Sequence, residues 1–118
     1  GRDEMAYYRE PFPTIRSRRP VRQWPCEIPL DGRPADVAEM FAAYQAALEA
    51  SAAPKLLLFG EPGGIIREPD RQWAAAHLSE LQMVNVGKGI HYLQEDAPYA
   101  IGNSIADWYQ RRVCSGNQ

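Results

Sequence analysis

Val37, Met40, Phe41, Tyr44, Ala47 and Leu48 recur at intervals of three and four, which places their side chains on one face of a helix. Asp31-Gly32-Arg33 leads into that helix, Pro34 falls near its first turn where a missing N–H costs nothing, and it closes near Ser51. The period then changes. Lys55-Leu56-Leu57-Leu58-Phe59-Gly60 is apolar on successive residues and stops at the turn signal Glu61-Pro62-Gly63-Gly64. So short a run between a helix and a turn reads as a strand, and its lack of alternation as a strand covered on both faces. The pattern predicts a second helix over 70–81, with Trp73, Ala76 and Leu81 on one side, and a second strand over 83–86. Gly87-Lys88-Gly89 should break that strand, leaving His91 in a loop and Asp96 to cap a last helix. Ile101, Ile105, Trp108 and Arg112 form the stripe of that helix.

Residues 5–33 have no such period. A short Met5–Arg9 segment runs into Pro11-Phe12-Pro13, and Pro20 and Pro25 follow among Arg16, Arg18, Arg19, Arg22 and Trp24. Proline this dense forbids a long helix or a central strand. The arginines could form a phosphate-binding patch, but in an acidic chain a solvated connection tied to local carboxylates is the plainer reading.

Helix, strand, helix, strand, helix is the order of a parallel α/β sheet, and 118 residues suit one small domain rather than two. Such a sheet has a difficulty here. A strand covered on both faces needs neighbours on each side, and Lys55–Gly60 would keep an unpaired edge if the chain stood alone. The expectation is therefore a fragment, or one half of a split or intertwined protein.

Composition removes several alternatives. A net charge of −2 argues against nucleic-acid and anionic-membrane partners. No apolar run approaches the roughly 18 residues of a membrane span, and Gly-Arg-Asp-Glu-Met holds no signal-peptide core and no initiator Met. Cys26 and Cys114 lack metal or redox spacing, so a reducing, cytoplasmic setting is expected, with a single disulfide left open.

Two histidines make the search for chemistry short. His91 follows a strand in a Gly-flanked turn, the place where α/β folds put ligand sites, and imidazole suits proton transfer near neutrality. His77 lies within a helix and reads as a surface or packing residue. No metal is expected, since neither histidine has a His-x-Glu or Cys-x-x-Cys companion. No cofactor is expected either: no P-loop, dinucleotide fingerprint or Gly-x-Ser-x-Gly elbow is present. Glu61, in the loop after the first strand, is a candidate to orient His91 or a polar residue at a pocket rim.

The ordered set Tyr8-Arg9-Glu10-Pro11-Phe12, Arg18-Arg19-Pro20, Trp24-Pro25, Glu27-Ile28-Pro29, Pro34-Ala35-Asp36-Val37, Pro54-Lys55-Leu56-Leu57 and His91-Tyr92-Leu93-Gln94-Glu95-Asp96 resembles the C-terminal stretch of haloalkane dehalogenases. The resemblance runs from about Asp3 to Arg112. It implies the C-terminal part of an α/β-hydrolase fold, with the last two parallel strands and their flanking helices. Residues 1–12 would be the end of the helical cap, 13–33 the return to the core, and 34–118 the core itself.

It also implies a chemistry. A carboxylate nucleophile displaces halide from a saturated carbon, and a histidine-activated water then hydrolyses the resulting alkyl ester. Of that machinery only the base would be here, as His91; the nucleophile and the halide-binding groups would lie in an N-terminal portion. Trp24, Trp73 and Trp108 do not match halide-binding positions and would be packing residues. One subgroup carries its catalytic acid where this chain has Gly63, so the resemblance points to the subgroup with a Glu after an earlier strand, and makes Glu61 a rim residue. Pro11, Gly64, Ile65 and Tyr92 would line the substrate pocket or tunnel. The partners implied are an uncharged haloalkane, water and the N-terminal portion. Luciferase-like or epoxide-hydrolase-like relatives, and a non-catalytic binding fragment, are the competing readings.

Overall fold

The computed structural model describes residues 1–114. Along them lie α1 (Arg2–Arg9), α2 (Arg19–Cys26), α3 (Ala35–Ala50), β1 (Lys55–Pro62), α4 (Glu68–His77), β2 (Leu81–Gly89), α5 (Leu93–Asp96) and α6 (Pro98–Tyr109). A π-helical turn at Gln110–Cys114 continues α6. Length suggests one domain, whereas the chain divides into two compact units, Gly1–Ala46 and Ala47–Gln118.

In the first unit, the proline-rich stretch is more helical than its composition suggests. Pro20 occupies the first turn of α2, where its N–H would have no partner, and Pro25 falls one residue from the helix end. The helix therefore forms but stays short. Thr14 and Ser17 exchange backbone-to-side-chain hydrogen bonds of 3.1 Å, which closes the turn before it. Arg18 donates through Nε to the Phe12 carbonyl at 3.1 Å, so this guanidinium is tied to backbone. Leu30 and Arg33 exchange backbone hydrogen bonds around Asp31 and Gly32, both at positive φ, and that tight turn delivers Pro34 to the start of α3.

The amphipathic spacing of α3 is real but its apolar face stays open. Met40, Phe41, Tyr44 and Leu48 are all about half exposed or more, and no residue of the helix is buried. Trp24 is likewise 77% exposed, contrary to a packing role.

In the second unit β1 and β2 pair in parallel, Lys55 opposite Leu81 through Phe59 opposite Asn85. α6 packs against both strands and α5 against β2. Lys55 anchors the start of the pair: its Nζ donates to the carbonyls of Ser51 (2.5 Å), Ala53 (3.0 Å) and Ser79 (3.1 Å). Buried positions among the described residues are few, namely Gly60, Arg71, Ala74 and Val86. Leu56, Leu57, Leu58 and Phe59 reach only partial burial although their sequence is that of a doubly covered strand.

Four boundaries differ from the sequence pattern. α4 stops at His77, because Leu78 is extended and Glu80 turns the chain at φ +53, so Leu81 opens β2 instead of ending a helix. β2 does not break at Gly87-Lys88-Gly89. It absorbs an extra residue as a bulge, pairing resumes at Glu61 with Lys88, and Gly87 takes φ +110, which glycine tolerates. Glu61 and Pro62 accordingly belong to β1, not to the loop after it. Asp96 ends α5 instead of capping α6. Ala97 precedes α6 and Pro98 takes its first turn, because the Ala97 N–H is already used on the Leu93 carbonyl at 2.8 Å.

Candidate functional site

Gly89 ends β2 and Leu93 begins α5, so His91 stands in the short link between a strand's carboxyl end and a helix. The link is held from both sides. Gly60 and Gly89 lack the β-carbons that would collide with Leu93 Cδ2; one on Gly60 would stand 2.6 Å from it. Leu93 thus seats on two glycines, one from each strand. Its neighbour Tyr92 accepts backbone hydrogen bonds from Glu95 (2.9 Å) and Asp96 (3.2 Å), which closes the α5 turn. The His91 ring meets the Tyr92 ring edge-on, with centroids 4.6 Å apart.

The loop after β1 lies against this link with little but backbone between them. Gly63 N–H donates to the Gly89 carbonyl at 3.1 Å, and a β-carbon on Gly64 would come within 2.8 Å of the Ile90 carbonyl oxygen. Gly63 itself turns at φ +72. Between loop and link is a cleft of about 60 Å³ whose wall includes Phe59, Gly60, Gly64, Ile65, Ile90 and His91. Ile65 and Ile90 are each more than 60% exposed, so the cleft has an apolar open rim. A larger groove of about 670 Å³ in the first unit, among Tyr8, Arg9, Phe12 and Arg18, holds no base or nucleophile suited to the same chemistry.

Of the residues the sequence singles out, Gly64, Ile65 and His91 come together at this cleft. Tyr92 contacts the His91 ring instead of the cleft wall. Pro11 lies in the first unit, exposed in the turn after α1. His77 is exposed on α4 and stacks on Trp73 at 4.8 Å, the surface role expected of it. Phe59, Gly60, Ile90 and Leu93 were not anticipated. The available signal was their place at the carboxyl ends of two adjacent parallel strands.

Glu61 faces α4. Its carboxylate lies 3.8 Å from Arg71, which is buried and also paired with Glu68 through Nη2 (2.5 Å) and Nε (3.2 Å). The hydrogen bonds from Arg71 and then Gln72, with the Arg71 charge, hold the Glu68 carboxyl below the usual carboxylate range. Among the described residues no group of three or more His, Cys, Asp or Glu side chains gathers as a metal site. No described helix is long and apolar enough to cross a membrane.

No protein-family model matches the chain. Individual relatives do. It is 50% identical over 108 residues to a haloalkane dehalogenase of Bradyrhizobium diazoefficiens, covering 92% of this chain and 35% of that protein. A haloalkane dehalogenase of Mesorhizobium japonicum is 49% identical over 106 residues, with 90% and 34% covered. Among solved structures, a haloalkane dehalogenase of Bradyrhizobium elkani superposes with a TM-score of 0.92 at 43% identity, over 98% of this chain and 40% of that one. The chain matches a C-terminal portion of the haloalkane dehalogenases. It spans about a third of the length of the curated relatives, and its two parallel strands with flanking helices are the corresponding part of their α/β-hydrolase fold. Among the described residues, the His91 link brings together an imidazole, a cleft and the end of β2.

Proposed function

We propose that this chain supplies the base-bearing C-terminal part of a haloalkane dehalogenase, with His91 as the base. The observation that carries the reading is the position of His91: an imidazole at the carboxyl end of β2, bordering an apolar-rimmed cleft. Residues 1–12 then belong to the end of the cap, 13–33 to the connection and 34–118 to the core. The substrate is an uncharged haloalkane, which an apolar lining of Gly64 and Ile65 suits. The setting is the cytoplasm, on the cysteine pattern.

The chemistry follows in two steps. A carboxylate supplied by the N-terminal portion attacks the halogen-bearing carbon, forming a carbon–oxygen bond as the carbon–halogen bond breaks and halide leaves. His91 then takes a proton from water as the water oxygen adds to the ester carbonyl; that proton passes to the departing alkoxide, giving the alcohol and a carboxylic acid, which loses its remaining proton to solvent to restore the carboxylate. This chain alone provides the second step's base and not the first step's nucleophile, so by itself it is inert.

The decisive experiment joins the chain to the N-terminal two-thirds of one of its relatives and measures halide release from 1,2-dibromoethane or 1-iodobutane. Release that vanishes when either portion is omitted supports the reading. A folded assembly that releases no halide from either compound overturns it.

A further inference from the structure

Arg71 is the one charged residue among the buried positions described, at 8% exposure, and the proposed reaction does not use it. Burying a guanidinium is costly unless its hydrogens and charge are met. Glu68, one turn earlier on α4, takes its Nε and Nη2, and Glu61 from the end of β1 approaches to 3.8 Å. These contacts hold Nε and Nη2, while Nη1 is buried without a hydrogen-bond partner. The guanidinium carbon lies 4.5 Å from the centroid of the Phe59 ring. Phe59 in turn borders the cleft that His91 borders. One side chain therefore links helix α4, the end of β1 and an aromatic wall of the candidate site. Arginine suits the task in a way lysine does not, because only its planar face can both stack on a ring and hold a carboxylate through two N–H groups.

We propose that Arg71 is a positioning residue that fixes the Phe59 ring and thereby sets which haloalkane chain lengths the cleft accepts. The inference rests on the dehalogenase reading for its substrate class, and on geometry alone for the Arg71–Phe59 link. Arg71 touches no reacting atom, so its loss should alter fit more than chemistry.

The test uses Arg71→Lys and Arg71→Met in the chain assembled with its N-terminal portion, with 4-fluorophenylalanine as a fluorine NMR probe. The Phe59 resonance is assigned by its disappearance in Phe59→Leu. Arg71→Lys keeps the charge but loses the guanidinium carbon that lies over the ring. It should shift and broaden the Phe59 resonance and raise KM for 1-iodohexane about fivefold relative to 1,2-dibromoethane, with kcat for both within about twofold. A purely structural role would instead lower kcat for both substrates together and leave the KM ratio alone; that result overturns the proposal. So does an unmoved Phe59 resonance in both variants. If Arg71→Met does not fold, Arg71→Lys alone decides. If the unsubstituted assembly releases no halide, the functional reading has failed, and the Phe59 resonance still decides whether Arg71 positions the ring.

Discussion

Leu93 rests its Cδ2 methyl in the space that Gly60 leaves open, where a β-carbon would stand 2.6 Å away. Gly60 is buried at the end of β1 and Leu93 opens α5, so the contact ties the first strand to the helix that follows His91. Overpacking of this kind costs about 1–3 kcal/mol. Gly60→Ala should lower the melting temperature, and adding Leu93→Ala should recover part of the loss. Equal melting of Gly60→Ala and the parent would show that Leu93 moves aside freely.

His91→Phe in the assembled enzyme should leave halide displacement intact and block ester hydrolysis. A single burst of halide, stoichiometric with enzyme, and a mass increase equal to the alkyl group are the expected readouts. Normal turnover in that variant would remove His91 from the reaction.

Lys55→Met should destabilise the second unit, since the ammonium serves three carbonyls at the start of the strand pair. Of the three hydrogen bonds lost, one is part-buried and two are exposed, so the cost is about 1.5 kcal/mol. Urea unfolding followed by intrinsic fluorescence would register a lower midpoint with an unchanged slope. No change of midpoint would mean that water replaces the ammonium fully.

Glu68 gives the acid limb of stability a direction. Its folded pKa lies below the unfolded one, so its contribution is complete above the ordinary glutamate value of about 4.3 and is lost as pH falls through the folded value. Its exposure keeps the effect small. Glu68→Gln should therefore lower the melting temperature modestly near neutrality and converge on the parent at acid pH, which flattens the acid fall. An acid limb identical to the parent's would refute the assignment.

The bare face of α3 should make the isolated chain associate. Met40, Phe41 and Tyr44 are each at least half exposed along one stripe. Phe41→Lys should reduce the weight-average mass seen in sedimentation as concentration rises. Unaltered association would place the contact elsewhere.

What the sequence revealed depended on whether the signal was local. β1 was legible because four apolar residues in succession, framed by a helix and a turn, have few other readings. The end of β2 was not, since Gly87 and Gly89 read as breakers until a partner strand shows that one forms a bulge and the other a seat. α2 was hidden for a similar reason: Pro20 excludes a helix interior but not a first turn. The place of His91 after a strand's end could be read from the pattern around it. Leu93's seat could not, because Gly60 and Gly89 are far apart in sequence and meet only through pairing. Nothing in the local pattern marks Arg71, and only the fold places its guanidinium over the Phe59 ring.

The bulge at Gly87 acts as a parity device. Successive side chains in a strand alternate faces, so one extra residue swaps the face of everything after it. Were the pairing from Phe59 to Glu61 matched one-for-one by β2, Gly89 and Ile90 would exchange orientations, and the chain would leave the sheet toward the side away from Leu93's seat. The imidazole would then exit on the wrong side of the sheet with every residue of its motif unchanged.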